Sequence, residues 1–375
     1  MKILYHSPSN QGGLCEYAFH QAPALLNVNG VVLLWQAPAH LPPPQGAITL
    51  PALPAPKTSR GRSRLRRAVD FLSWSLATHA ALAHAIAEHR PDAVMLPGWS
   101  EYFSPLWAWR LRRWQHRGVR FGAIIHDPMR DVKRGGQALH RFSLRQAYSF
   151  LDVAFVHESI KLDTAGAPSP KIAVVPHGPY PVPDGQADYA SLRDELGIPK
   201  TARVLLSFGH IRDGKCLDAV LEALVSCPDC HLIVAGREQS AGQIPASTYQ
   251  AQAQRLGITN RCHWFIKFIP NDEVWKYFRA SDLLLLLYSQ NFHSMSGVLN
   301  VNAQFRLPVL ASAGSGPLLN AIRAYDLGPI INETTPARIA HALNLNQQLD
   351  ARWDDYLKDH SWEQNAERVV SALSA

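Results

Sequence analysis

Apolar residues along this chain gather into short, nearly continuous runs, separated by stretches of helical spacing. In the first half the runs are 3–5, 31–35, 93–96, 121–125, 153–156 and 172–175. In the second half they are 204–208, 232–235, 263–265, 283–287, 309–311 and 329–331. Runs with so little polar alternation predict strands buried on both faces of a parallel sheet. After residues 204–208, for example, Leu217, Val220, Leu221 and Leu224 recur at helical spacing. Two such sets predict an α/β chain with two Rossmann-like, doubly wound domains. The boundary falls in 176–185, where repeated Pro and Gly exclude helix and central strand. A second Pro-rich stretch, 37–56, reads as loop. The helix after it carries Leu65, Val69, Leu72 and Leu76 on one face.

Charge divides the chain in the same way. Residues 1–180 hold 20 Lys and Arg against 10 Asp and Glu, a net +10, whereas the rest holds 17 against 20, a net −3. A basic first half faces an anionic partner, either nucleic acid or a membrane surface. Arg60, Arg62, Arg64, Arg66 and Arg67 cluster at the start of the apolar-faced helix. That pattern fits a membrane-surface element, or a helix packed on its own sheet with a solvated basic end. The +10 of residues 1–180 favours the anionic surface, and no recognised nucleic-acid-binding motif is present. The five cysteines give no disulfide framework, and Cys227 and Cys230 form a lone CxxC that reads as a turn with two free thiols. Reduced thiols and the lack of a visible signal peptide or membrane span predict a cytoplasmic protein.

Three loops carry chemistry. The segment from Ser207 to Lys215 leaves a buried strand at Gly209 and presents Arg212 and Lys215 before a helix start. A forked guanidinium and a point-charge ammonium at the carboxyl end of a parallel strand suit a diphosphate; a merely basic turn is the alternative. Gly12 and Gly13 follow the first strand, where a ligand can approach the backbone closely. His126 and Asp127 end another strand and are placed to bind sugar hydroxyls or move protons, or to hydrogen-bond within a loop. A polar segment containing His293, Ser294, Ser296 and Gly297 leads into a helix whose amides can hold a phosphate, unless Ser294 or Ser296 caps it.

In this order and spacing, these loops resemble the GT-B glycosyltransferases of the large retaining "group 1" family. Gly12-Gly13 matches its first glycine-rich loop, and His126-Asp127 its His-Asp strand end. Val175-Pro176-His177-Gly178 matches its V-P-N-G element, and Gly209 to Lys215 its G-x-x-R-x-x-K-G loop. Leu307 to Ser312 matches its x-P-V-I-A-S strand, and Trp362 to Ala375 its closing helix. The resemblance implies an acceptor domain over 1–180, a donor domain over 181–357 and a helix, 358–375, crossing back to the first domain. The two domains would face each other across a cleft. It further implies donor contacts from Gly209, Arg212, Lys215, Gly236, His293, Ser294, Ser296, Gly297, Val298 and Asn302. Acceptor contacts would come from Gly12, Gly13, Tyr17, His126 and Asp127. His126, Arg212 and Lys215 would take part in catalysis.

One departure stands out. The family usually carries two glutamates eight residues apart; here those positions hold Ser294 and Asn302 or, one residue back, His293 and Val301. Neither pair contains a carboxylate. The chain also lacks Asp-x-Asp, which argues against a metal-dependent GT-A mechanism. The expected activity is retaining transfer from a UDP- or GDP-linked sugar to a lipid-linked or other glycan acceptor, with neither metal nor cofactor. Its setting would be bacterial exopolysaccharide or envelope-glycan synthesis at the inner face of the membrane. The alternatives are a non-catalytic partner of a transferase complex and a sugar-nucleotide epimerase of the same fold.

Overall fold

A computed structural model describes residues 1–375 except 11, 56–62, 99–100, 127–135, 159, 184–191, 240–241, 291, 293–294, 313–315 and 346–349. Of Arg64 it describes the backbone alone. Five of the residues singled out above, Arg60, Arg62, Asp127, His293 and Ser294, lie outside the described residues.

The apolar runs form two parallel sheets. In the first, β1 (Lys2–His6), β2 (Val32–Gln36), β3 (Ile48–Thr49), β4 (Ala93–Leu96), β5 (Arg120–Ile124), β6 (Val153–Val156) and β7 (Lys171–Val174) lie in the order β3-β2-β1-β4-β5-β6-β7. In the second, β8 (Arg203–Phe208), β9 (Cys230–Ala235), β10 (Cys262–Phe265), β11 (Leu283–Leu287) and β12 (Val309–Ser312) lie in the order β10-β9-β8-β11-β12. Every strand pair is parallel. Both orders reverse direction at the first strand, as doubly wound sheets do. Strands β4, β6, β9, β11 and β12 are buried at every residue, which is why they read as unbroken apolar runs.

Two expectations are corrected. Residues 329–331 form no strand, only a single bridge from Ile330 to Ala311, since Pro329 has no N–H to extend a ladder. Conversely, the Pro-rich loop contains β3, two exposed residues paired to β2. A strand that short leaves no periodic signal.

The chain divides into two units, Met1–Gly178 with His360–Ala375, and Pro179–Asp359. In the first, alternate strand residues point to opposite faces. Leu4, Val94, Phe121 and Ala154 meet Leu82, Ile86, Leu111 and Tyr148 of one helical layer. The other face is covered by helices Gly13–Leu26 and Trp362–Ser374, which pack on each other. Trp362, Asn365, Ala366, Val369, Ala372 and Leu373 are buried on one stripe of the last helix. Close approaches fix its seat. A methyl group added at Gly178 would lie 2.4 Å from the Trp362 ring, and one at Gly122 would lie 2.9 Å from Leu373.

A buried polar network locks this helix in place. Tyr5 Oη donates to Gln21 Oε1 (2.9 Å), and Gln21 Nε2 to Asn365 Oδ1 (2.7 Å). Asn365 Nδ2 donates in turn to Tyr17 Oη (2.8 Å) and to the Pro176 carbonyl (2.7 Å). Asn365→Leu strands several of these groups, each costing roughly 1–3 kcal/mol when buried without a partner. The variant is expected to lose about 3 kcal/mol, read as a lower urea midpoint for the first unit at unchanged m-value. A midpoint equal to wild type would show that the network does not hold the helix.

Candidate functional site

In the second unit, β8 lies between β9 and β11, so the connections of the sheet leave it in opposite directions and open a crevice at its carboxyl end. Three loops are tied together there. Gly209 N donates to the Ala235 carbonyl (2.9 Å), Ile211 N to the Arg237 carbonyl (2.9 Å) and Ser289 N to the Gly214 carbonyl (2.9 Å). Gly209 has φ 87° and Gly236 φ 153°. A methyl group on Gly236 would sit 1.9 Å from the Gly209 carbonyl oxygen. One on Gly209 would lie 3.4 Å from Val298 Cγ2 and 3.6 Å from Lys215 Nζ. Only glycine permits this approach, and it brings Gly209, Lys215, Gly236 and Val298 together.

The two cations are held differently. The Arg212 guanidinium lies 5.4 Å from the ring centres of both Tyr288 and Phe292, which stack 4.1 Å apart. Such an aromatic platform orients a guanidinium, and the Tyr288 hydroxyl also accepts a hydrogen bond from Arg212. Lys215 is 9% exposed, and its ammonium donates to the Phe208 carbonyl at the end of β8. Burial, and then the nearby Arg212, push the Lys215 amine down to about 7.

The helix start beside them is open. Helix Gly297–Phe305 has Ser296 at its N-cap but no side-chain cap bond, because the Ser296 hydroxyl lies 3.0 Å from Tyr288 Oη. Gly297 is exposed. Among the described residues, the first-turn amides thus have no side-chain cap competing with an anion.

Asn302 is not in this group, contrary to the expectation of a donor contact. It is fully buried; its Nδ2 donates to the Leu307 carbonyl (2.8 Å), and its Oδ1 accepts from Leu307 N (3.3 Å). The chain leaves the helix through Arg306 at φ 59°, and the Asn302 amide satisfies the peptide groups freed by that turn.

In the first unit, Gly12 and Gly13 are exposed, and a methyl group on either would meet nothing within 4 Å. Tyr17 requires correction: its ring is fully buried and its hydroxyl belongs to the Asn365 network, so no acceptor reaches it. His126 follows β5, His157 follows β6 and His177 follows β7. His126 Nε2 lies 2.8 Å from the Pro97 carbonyl, and its Nδ1 lies 3.4 Å from His157 Nε2. His157 Nδ1 faces the Val175 carbonyl (3.1 Å), and His177 Nδ1 faces the Gly178 carbonyl (2.9 Å). Burial pushes the imidazole of His157 well down and that of His177 to about 3, so both are neutral. Both ring nitrogens of His126 therefore face protein groups, which suits positioning more than proton abstraction.

Sequence reasoning missed Tyr288, Phe292 and His157. Tyr288 and His157 each directly follow an apolar strand run, a signal that was present. The pairing of Phe292 with Arg212 depends on two loops meeting and has no local signal.

Residues 188–368 match the model of the family "Glycosyl transferases group 1". The curated relatives include D-inositol 3-phosphate glycosyltransferase of Mycolicibacterium gilvum, 28% identical over 40% of this chain and 33% of that protein. The same enzyme of a Mycobacterium species is 28% identical over 42% of this chain and 35% of its own length. The chain thus spans about a third of the length of the curated relatives it matches. Among solved structures, Anabaena HepE in complex with UDP and glucose superposes with TM-score 0.69 at 16% identity, over 100% of both chains. Sucrose-phosphate synthase of Thermosynechococcus elongatus superposes with TM-score 0.61 at 14% identity, over 100% of this chain and 94% of its own. The fold is accordingly GT-B, and residues 188–368 carry the likeness to the glycosyl transferases group 1 family.

Proposed function

We propose that the protein transfers a sugar from a nucleoside-diphosphate sugar to a lipid-linked glycan acceptor, with retention of configuration. The observation that carries this reading is the convergence of Arg212, Lys215 and the uncapped helix start at Gly297 on the carboxyl end of β8. Those groups suit a diphosphate in charge, and HepE binds UDP on the same fold. UDP is therefore the first donor nucleotide to test, then GDP.

When the bond from the anomeric carbon to the diphosphate oxygen breaks, negative charge develops on the departing phosphate. Arg212, Lys215 and the first-turn amides near Gly297 stabilise it, so the step asks for no metal. The acceptor hydroxyl attacks from the face the diphosphate leaves and passes its proton to the departing phosphate oxygen, so no side-chain base is required. The open surface at Gly12 and Gly13 is the proposed acceptor contact. The basic first unit supports an acceptor anchored at the inner face of a bacterial membrane, as in exopolysaccharide or envelope-glycan synthesis.

Release of UDP or GDP from nucleotide sugars, in the presence of an acceptor-lipid extract, tests the reading. Equimolar glycosylated lipid in the retained configuration supports it. Nucleotide binding with no release would favour a second reading, a non-catalytic nucleotide-binding partner. The missing carboxylates and the commitment of Asn302 to Leu307 favour that alternative.

Lys215 gives a prediction in pH. Its amine titrates near 7 in the free protein, whereas a bound diphosphate favours the ammonium. Above pH 7, UDP binding must therefore take up a proton, and affinity falls as pH rises, by at most about tenfold per unit. Calorimetry at pH 8 in two buffers of different ionisation heat should show the uptake, and Lys215→Met should lack it. Equal proton uptake by both proteins would sink the assignment of Lys215 to the diphosphate.

A further inference from the structure

Helix Arg64–His89 carries two stripes. Ser75, Thr78, Leu82, Ala85 and Ile86 are buried against the sheet layer. Leu65, Val69, Leu72 and Leu76 lie on a stripe rotated by roughly 115° at ~100° per residue. Most of that second stripe is uncovered: Leu65 is 76% exposed, Val69 55% and Leu76 39%, with Leu72 half-buried. Single exposed leucines need no explanation, but a continuous patch does.

Neighbouring elements of the same helical layer also expose apolar side chains. Phe71 on the same helix lies 5.9 Å from the Phe103 ring, which leads into the turn Ser104–Leu106. Trp109 Nε1 donates to the carbonyl of exposed Leu106 (3.3 Å). Ser104 Oγ ties the same turn to the Ser143 carbonyl on helix Gln137–Tyr148 (2.5 Å), where Phe142 is 52% exposed. The charge on this layer is one-sided. Helices Arg64–His89, Ala108–Gln115 and Gln137–Tyr148 hold eight arginines against one Asp and one Glu. Arg110 and Arg113 lie 5.2 and 5.1 Å from the Trp109 ring.

We propose that this layer is a lipid-docking face that lies on an anionic bilayer. Leu65, Val69, Leu72 and Leu76 enter the headgroup–acyl boundary, Trp109 sits at headgroup level, and the arginines meet lipid phosphates. Charge complementarity selects anionic lipid, and the open apolar stripe distinguishes this face from one built for nucleic acid. The inference deepens the reading of a lipid-linked acceptor and rests on it for its purpose. Its geometry rests on the uncovered stripe alone. Among the described residues no helix is long and apolar enough to cross a membrane, so contact here is in the plane of the interface.

The test is co-sedimentation with phosphatidylglycerol–phosphatidylcholine vesicles and with phosphatidylcholine alone, for wild type and Leu65→Asp/Val69→Asp. Both substituted positions are exposed, so the fold should tolerate them. Wild type should bind the anionic vesicles preferentially, more weakly in high salt, and the double variant should lose about tenfold or more in affinity. UDP affinity, measured on the same samples, should be unchanged. Absent vesicle binding, or equal binding by the variant, overturns the proposal. So does a wild-type dimer that the variant makes monomeric, since a second copy would then cover the stripe. Retained vesicle binding without any UDP binding would refute the donor reading and leave the docking face standing.

Discussion

Arg212→Ala is expected to lower kcat/KM for nucleotide-sugar turnover by about 10²- to 10³-fold, the usual cost of removing one donor that meets developing charge. The loss follows from the arrangement at β8. Lys215 is buried and donates to the Phe208 carbonyl, and its amine, near 7, is only partly protonated at neutral pH. The Arg212 fork thus supplies most of the fixed positive charge. Arg212→Lys keeps a charge but loses the bidentate geometry and the seat on Tyr288 and Phe292, and should fall between wild type and alanine. Tyr288→Leu should cost less, because it removes the platform and leaves the guanidinium. The check is steady-state release of the nucleoside diphosphate. Activity of Arg212→Ala within twofold of wild type would remove this side chain from the mechanism.

Gly236→Ala should have the largest effect on the donor unit without touching a charged group. The added methyl would lie 1.9 Å from the Gly209 oxygen, 2.6 Å from its carbonyl carbon and 3.2 Å from its Cα. All three are backbone atoms of a paired strand end, so no flexible side chain can swing away. Gly236 is pinned from the other side by its N–H bond to the Phe265 carbonyl (3.0 Å). Relief requires β8 and β9 to separate where Arg212 and Lys215 begin. We expect a loss of about 3 kcal/mol in the stability of the second unit, with UDP affinity falling more than tenfold. Gly13→Ala is the control, since its methyl meets open space. Chemical unfolding and UDP titration of both variants decide the matter. A Gly236→Ala protein with wild-type stability and affinity would mean that the strand ends need not approach so closely.

Much of the fold was legible because burial on both faces writes itself into sequence, as in the run of leucines at β11. Elements that lean on distant partners were not. Ile48–Thr49 is too short to show a period, and Ile330 pairs through a single residue. Periodicity located the helix carrying Leu65, Val69, Leu72 and Leu76, but it reports an apolar face without saying what covers it. The face that meets the sheet includes Ser75 and Thr78, both buried, with the Thr78 hydroxyl donating to the Trp74 and Ser75 carbonyls of its own helix. At the site, Arg212, Lys215 and Gly209 were readable because strand-end glycines and cations form a local pattern. Asn302 misled for the opposite reason. An amide suits a ribose and a helix end equally well, and only the left-handed turn at Arg306 decides which one claims it.

The central claim is that the carboxyl end of β8 binds a nucleoside diphosphate. The most direct measurement is a thermal shift of the whole protein with UDP and with GDP, for wild type and Arg212→Ala. At ~100 times its Kd, one of them should stabilise the wild-type protein by about 2.7 kcal/mol, read as a higher melting temperature. The account predicts a shift with one base that Arg212→Ala abolishes. No shift with either nucleotide at millimolar concentration, or an equal shift in the variant, would contradict it.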